Sequence, residues 1–520
     1  MTATAYGEHG FDDLLDDLTE ENLDLYTAEL GRLADRLRRV EVAGPEDEAD
    51  RDALLAEIAG RVLEHDLERP WRRNPFMAAA LIPASLLDLI ARDFAPLERR
   101  MRSAASRLEA ALRFLDQAKR LLDEPCPRLW RQMAVATAVS AAGFLREQLP
   151  QAAVGTEVAS RVAEAANTAA TAMGDFARWL TDEHAVRFPD DASFAIGEAA
   201  LARKLREVHC LAATPAELHA MGEAQVSQTT AALAEQAGQL GDGVWSTLLD
   251  QVKADHPPME GLLPAYATEL DRLEQFVFEH DLASDPRAKA EVEPTPEFLR
   301  GFMGFAAYYP AGPFDAYQQG YFWVTPPPDE AGLRDHSRAM IPVVAVHEGY
   351  PGHHLQMTSV NRLGSVTRRT VRSTLMIEGW GLYTEQLMHD VGYYDNRARL
   401  AQLSMRLLRA LRIVVDMELQ SGELSYQAAV DRAVSVARLE ESTARSEVAR
   451  YTMTPTQPSS YLVGALELER LRATTQARLG EAFNLRHFHD RILSYGHMPP
   501  ALVRHAIETA DTTELGGPNE

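Results

Sequence analysis

Apolar residues recur at spacings of three and four through most of the first 290 positions. Leu14, Leu15, Leu18, Leu23 and Leu25 open this pattern. Leu30, Leu33 and Leu37, then Leu54, Leu55, Ile58 and Val62, continue it with acids and arginines between them. Such spacing gives each segment one oily stripe, the mark of helices packed on one side. Pro70, Pro75, Pro83 and Pro96 punctuate the next stretch, and alanine-rich helical patterning resumes over 104–146 and 154–180. Thr214-Pro215-Ala216-Glu217 has the form of a helix start: a threonine cap, proline at the first helical position, and glutamate three residues after the cap. Between about 280 and 330 the texture changes. Ala306-Ala307-Tyr308-Tyr309-Pro310 and Gly320-Tyr321-Phe322-Trp323-Val324-Thr325, ahead of three prolines, are aromatic and β-prone, and 321–325 predicts a strand. Helical patterning returns at Ile341 and runs to about Thr509, and the tail over 516–520 is expected to fray. The pattern predicts a mainly α protein with few strands and no internal repeat.

Composition narrows the function classes. Of 520 residues 46% are hydrophobic and 25% charged, a globular mixture, and 52 basic against 77 acidic residues leave a net charge of −25. A chain this acidic repels phosphate backbones and anionic lipid, so neither nucleic acid nor membrane is an expected partner. Two cysteines, Cys126 and Cys210, build no disulfide framework, which fits a reducing compartment. Positions 1–17 carry Glu8, Asp12, Asp13, Asp16 and Asp17 and lack the basic-then-apolar order of a signal peptide. The apolar window 77–90 is too short to span a bilayer and is interrupted by Pro83 and Asp88. A cytoplasmic location is the expectation.

The chemistry concentrates in Val343-Val344-Ala345-Val346-His347-Glu348-Gly349-Tyr350-Pro351-Gly352-His353-His354-Leu355-Gln356. Zinc hydrolases with a His-Glu-x-x-His motif place two imidazoles one helical turn apart, and the glutamate between them acts as general base on the metal-bound water. Here the fourth position after His347 is Pro351. On a straight helix His353 lies about 120° around from His347, and His354 lies about 10 Å further along the axis. Neither would share an ion with His347. Pro351, however, lacks the N–H that would bond the His347 carbonyl and clashes with that carbonyl, and Gly352 accepts almost any backbone angle. With Pro-Gly as an outward bulge, His353 falls on the second ligand position and is preferred to His354.

An open tetrahedral site needs a third protein ligand. The segment 377–387 offers Glu378 and Glu385, seven apart and so on one helical face. Glu378, 25 residues after His353, is assigned as third ligand. Glu385 is assigned to support the site, orienting a histidine N–H. One zinc ion is the expected cofactor, although two histidines and a glutamate also suit manganese, cobalt or iron.

These residues resemble domain-of-unknown-function family 885, bacterial proteins placed among the His-Glu zinc peptidases. The resemblance rests on His-Glu-x-x-Pro-Gly-His-His-Leu-Gln and Glu-Gly-Trp-Gly-Leu-Tyr-x-Glu. It extends to Arg450-Tyr451, Pro455-x-Gln457, Ser460-Tyr461-x-x-Gly464 and Phe488-His489-Asp490 with Gly496-x-x-Pro499. Weaker echoes at Tyr308, the Tyr321 strand and Leu218…Gly222 spread it over most of the chain. It implies a large helical, zincin-like metallopeptidase with a small β-sheet beside a deep active-site channel. A mostly helical scaffold over 1–290 and a metal-binding catalytic region over 291–515 would form one continuous family domain. His347, His353 and Glu378 would hold zinc, with His354 in support. Glu348 would be the base, and Tyr461, presented by a loop containing Pro455, Gln457 and Pro458, the oxyanion donor. Tyr461 as a packing tyrosine is an equal alternative. Arg450 would pair a substrate's terminal carboxylate, with Arg372 and Arg369 as rivals. His489 would donate to the transition state or, with Asp490, serve as a cap, and Tyr321 would line the substrate path.

The expected activity is zinc-dependent hydrolysis of peptide or amide bonds, as a carboxypeptidase-like exopeptidase on short peptides. Two alternatives stand beside it. One is a biosynthetic metallo-amidohydrolase acting on an amino-acid-conjugated metabolite; the other is an inactive helical binding protein, which would have no use for Glu348. Oligomeric state is not legible in the residues.

Overall fold

A computed structural model describes residues 2–241, 243–297, 300 and 305–509. The tail over 516–520 lies outside the described residues. The protein is mainly helical with a small three-stranded sheet, as the apolar spacing predicts. Among the described residues no single helix is long and apolar enough to cross a membrane.

The chain divides into two compact units. One comprises Met1–Arg36, Arg61–Phe194 and Ala311–Tyr317. Its centre is formed by the helices Pro75–Ala91, Leu97–Leu121, Arg128–Glu147 and Ala159–Trp179, whose facing sides carry alanines at close to zero exposure. Small side chains let these backbones approach closely, with Leu108, Phe114, Met173 and Phe176 filling the space between. The opening leucines depart from expectation. Leu14, Leu15 and Leu18 lie in a non-helical stretch before the helix Glu20–Leu37. Local polar bonds compete with helix there. Asp17 accepts the Thr19 N–H at 3.1 Å and the Gln117 amide at 2.8 Å, and Gln117 in turn accepts the Leu18 N–H.

The other unit comprises Leu37–Gly60, Ala195–Pro310 and Gln318–Glu520 and contains every residue assigned to chemistry. Two long helices, Pro215–Leu240 and Asn396–Ser421, pack along each other, as do Thr374–Asp390 and Gln457–Leu479. Strand β1 (Ala290–Pro294) runs parallel to β3 (Gly320–Val324), and β2 (Ala306–Tyr309) runs antiparallel to β3 from the other side. The order β1-β3-β2 leaves β2 at an edge. The strand predicted over 321–325 is thus found one residue earlier, with Phe322, Trp323 and Val324 buried. Strand β1, with Val292 between two glutamates, carries too little apolar alternation to be expected from sequence.

The capping box at Thr214 is present as predicted. The Thr214 hydroxyl accepts the Glu217 N–H at 3.2 Å, and Glu217 accepts the Thr214 N–H at 2.8 Å. Thr214→Ala should therefore lower stability by about 1 kcal/mol. Urea unfolding would show this as a lower midpoint at unchanged slope; an unmoved midpoint would mean that the cap adds nothing.

Candidate metal centre

The apolar run before His347 forms the helix Met340–Glu348, with Val343, Ala345 and Val346 at 2% exposure or less, and this burial carries His347 inward. The chain leaves the helix at Gly349, passes a cis Tyr350–Pro351 bond, and re-enters a helix at His353–Asn361. A Cβ at Gly352 would stand 2.0 Å from the His347 carbonyl oxygen, so this return path is open to glycine alone. The break brings the imidazoles of His347 and His353 together, ring centroids 4.7 Å apart and nearly perpendicular. His354 points elsewhere. Its Nδ1 lies 3.0 Å from the Tyr308 hydroxyl, and its Nε2 lies 3.0 Å from the Ala288 carbonyl and 3.1 Å from the Tyr350 hydroxyl. Burial pushes its pKa down to about 4.

Glu378, in the second turn of Thr374–Asp390, completes the group. Its carboxylate is 3.9 Å from His347 Nε2 and 3.7 Å from His353 Nε2, and one ligand atom from each of the three lies within 4.8 Å of the others. Around tetrahedral zinc, ligand atoms stand about 3.3 Å apart, so closing on an ion needs movement of about an ångström. Gly381, one turn on, lets the histidine lie flat on this helix: a Cβ there would be 2.6 Å from His347 Cε1.

The remaining ring nitrogens are held from behind. Buried Glu385 takes the Nδ1 proton of His347 at 2.8 Å, which leaves Nε2 facing Glu378. His353 Nδ1 lies 3.3 Å from the Gln356 amide oxygen, and Gln356 is fixed by donating to the Met376 carbonyl at 3.1 Å. Burial by itself lowers the pKa of His347, but Glu378, Glu385 and Glu348 more than offset it and hold it at about 10. Burial pushes Glu378 upward, yet the two imidazoles bring it well below the usual carboxylate range. Three carboxylates beside two imidazoles give a buried place whose donor set suits a divalent ion.

Glu348 turns to the sheet, where its Oε2 accepts the backbone N–H of Tyr308 on edge strand β2 at 2.8 Å. Tyr461 stacks at 6.5 Å against the His347 ring. It stands in the first turns of the helix Gln457–Leu479, and of the expected presenting loop Gln457 and Pro458 already belong to that helix. Residue 456 carries the turn with φ of 72°, and the Asp416 carboxylate accepts the N–H groups of Thr456 and Ser459 at 3.2 Å each, so the helix has begun before Tyr461. Arg412 and Arg409 lie over the other parts of the Tyr461 ring, 4.8 and 5.8 Å from its centroid. Burial and then Glu378 raise the Tyr461 pKa against these arginines and Arg450, so the phenol keeps its proton at neutral pH.

Other assigned residues are placed apart from this group. Arg450 is engaged with Glu447 at 3.1 Å and Gln457 at 2.5 Å. His489 is buried, its Nε2 at 2.7 Å from the Tyr383 hydroxyl and its Nδ1 at 2.6 Å from the Leu282 carbonyl, and Asp490 holds Ser284. Tyr321 stacks beside Trp323 on β3. Sequence reasoning missed Gln356, Gly381, Arg409 and Arg412. The three-residue step from His353 to Gln356 was a usable signal, since such pairs meet on a helix; the arginines, on a different helix from every candidate ligand, had none.

A family model described as "Bacterial protein of unknown function (DUF885)" matches residues 1–507. No curated protein matches the chain. Among solved structures it is similar to "a putative lipoprotein of unknown function" from Shewanella oneidensis, at 20% identity over 97% of this chain and 96% of that one, with a TM-score of 0.81. It is also similar to "the putative lipoprotein from Colwellia psychrerythraea", at 17% identity over 98% and 95% of the two chains, with a TM-score of 0.84. At these identities the likeness is one of fold.

Glu378→Ala should abolish stoichiometric zinc binding, whereas Glu385→Gln should weaken it by roughly 10–100-fold. Competition with a chelating dye measures both, and the reverse order would exchange the two roles.

Proposed function

We propose that this chain, which belongs to the DUF885 family of bacterial proteins, is a zinc-dependent hydrolase of peptide or amide bonds acting on short peptides or amino-acid conjugates. The observation that carries this reading is the convergence of His347, His353 and Glu378 within 4.8 Å, with Glu348 next to His347 in the chain. An ion held by those three would supply a Lewis acid that polarises the substrate carbonyl and activates water. The chain's own residues do the rest. Glu348, adjacent to His347 and steadied by the Tyr308 N–H, takes a proton from the attacking water and delivers it to the leaving amine. Tyr461, kept protonated beside His347, donates to the oxygen that gains charge as the carbonyl is attacked. Arg412 and Arg409 hold the phenol ring in place and favour negative charge near it. Glu385 and Gln356 keep the two imidazoles turned toward the ion.

The proposed compartment is the cytoplasm, where Cys126 and Cys210 would stay reduced as the free thiols they are here.

With a library of short peptides, the zinc-loaded protein should release amino-terminated products. Glu348→Gln should retain zinc and lose roughly 10²–10⁴-fold in kcat, and retained turnover would show that another group is the base. Tyr461→Phe should lose roughly 10²–10³-fold in kcat with KM little changed; a loss confined to KM would make it a packing residue.

A further inference from the structure

Among the described residues, Arg372 lacks the carboxylate partner that Arg368, Arg406 and Arg412 of its unit have. Arg368 bonds Asp50 at 2.9 Å and Glu46 at 3.1 Å, Arg406 bonds Glu469 at 3.0 Å, and Arg412 bonds Glu447 at 2.6 Å. Arg372 has one contact of this kind, to the Met357 thioether at 3.9 Å, and no carboxylate within ion-pair distance. An arginine without an anion in a chain of 77 acids is a group waiting for one.

Two neighbours are equally unspent. His497 is 1% exposed, and neither ring nitrogen has a hydrogen-bond partner. A buried polar group left unpaired is costly, and a ligand that bonds it recovers that cost. The ring lies close enough to Arg372 and to the candidate ligand His353 for both to bear on it electrostatically. Ser373 is the cap residue of Thr374–Asp390, yet its hydroxyl caps nothing and is buried without a partner. It stands at the positive end of the same helix that carries Glu378. The backbone fixes the three together. Ser373 donates its N–H to the His497 carbonyl at 2.8 Å, and residues 372 and 497 form a parallel bridge. Gly496, at φ of 67°, is the residue that permits this approach, because a Cβ there would meet the Arg368 carbonyl at 1.9 Å.

We propose that Arg372, His497 and Ser373 form a carboxylate subsite beside the candidate metal centre, which receives the free C-terminal carboxylate of the substrate and makes the protein a carboxypeptidase. Naming that anion as a substrate's terminus rests on the hydrolase reading above. The guanidinium gives a carboxylate two parallel bonds, and the serine hydroxyl and one imidazole N–H can satisfy its remaining lone pairs. Arg450, the choice from sequence, is already committed to Glu447 and Gln457. Recognition of a free amino end would instead call for an acid open to the substrate; Glu348 is bonded to the Tyr308 N–H, Glu378 faces both imidazoles, and the one Glu385 oxygen without a partner is buried behind His347.

The test compares one N-acetylated tripeptide as free acid and as C-terminal amide, on the full-length zinc-loaded protein. The acid should exceed the amide in kcat/KM by roughly 30-fold or more. Arg372→Met should bring that ratio near one, chiefly through KM, and Arg372→Lys should restore part of it. Calorimetric binding of the same two peptides to Glu348→Gln gives a readout independent of turnover, and Ser373→Ala, the milder change, should narrow the gap if Arg372→Met does not fold. Equal handling of acid and amide, binding of neither, or a preference that survives Arg372→Met each overturns the subsite, and peptide cleavage in those cases leaves the hydrolase reading standing. Arg372-dependent binding of the acid with neither peptide ever cleaved would keep the subsite and remove the hydrolase.

Discussion

Two histidines six residues apart cannot face one ion across an unbroken helix, and everything at the candidate centre follows from how the chain escapes that rule. The four residues between Glu348 and His353 are used to leave one helix and start another, and the second helix begins on the histidine itself. Gly352 is indispensable to that path because the His347 carbonyl occupies the place of any side chain. The break also decides between neighbours. Once His353 turns to His347, the next residue must turn away, and His354 goes to Tyr308, Tyr350 and the Ala288 carbonyl.

Each inward group is held by a partner, three of them from another part of the unit and His353 by a residue one turn along its own helix. His347 rests on Glu385, His353 on Gln356, Glu348 on the edge strand, and Tyr461 beneath two arginines. A site built only of ligands would let its imidazoles rotate; here the second nitrogen of each is occupied, so the orientation is fixed before any ion arrives. Strand β2 has a part in this that its length hides. It pairs with β3 on one side, and from its open side the Tyr308 N–H reaches Glu348.

What the sequence disclosed, and what it withheld, divides along the range of the interactions. Features set by local sequence were legible: the Thr214 capping box, Glu378 with Glu385 on one face, the strand at Tyr321, and, given the Pro-Gly bulge, His353 rather than His354 turned to His347. The apolar spacing misled at Leu14 and Leu18, where a turn bond to Asp17 and a long-range bond from Leu18 to Gln117 take the place of helix. Long-range packing was out of reach. Nothing in the neighbourhood of Arg409 or Arg412 announces that both will lie over Tyr461, and the Arg450 assignment failed to foresee Glu447 and Gln457 as its partners. The glycines of Glu-Gly-Trp-Gly were visible, but the need for Gly381 appears only when the His347 ring is laid upon it.

Net charge belongs to the same class of partial signals. A total of −25 argues against polyanionic partners, yet charges more than about 8–10 Å apart are screened from one another in physiological salt, so the total says little about any one pocket. Locally the balance inverts. Arg412 and Arg450 share a single carboxylate, Glu447, and Arg409 stands beside them without an ion pair among the described residues. Arg372 has no carboxylate within ion-pair distance among the described residues. Three glutamates gather positive charge at the centre, while these arginines around it are left in excess. An arrangement negative within and positive at its margin is suited to a cation held permanently and an anionic group that comes and goes. That contrast lives in distances of a few ångströms between residues far apart in the chain, which is why composition, a sum over the whole chain, does not disclose it.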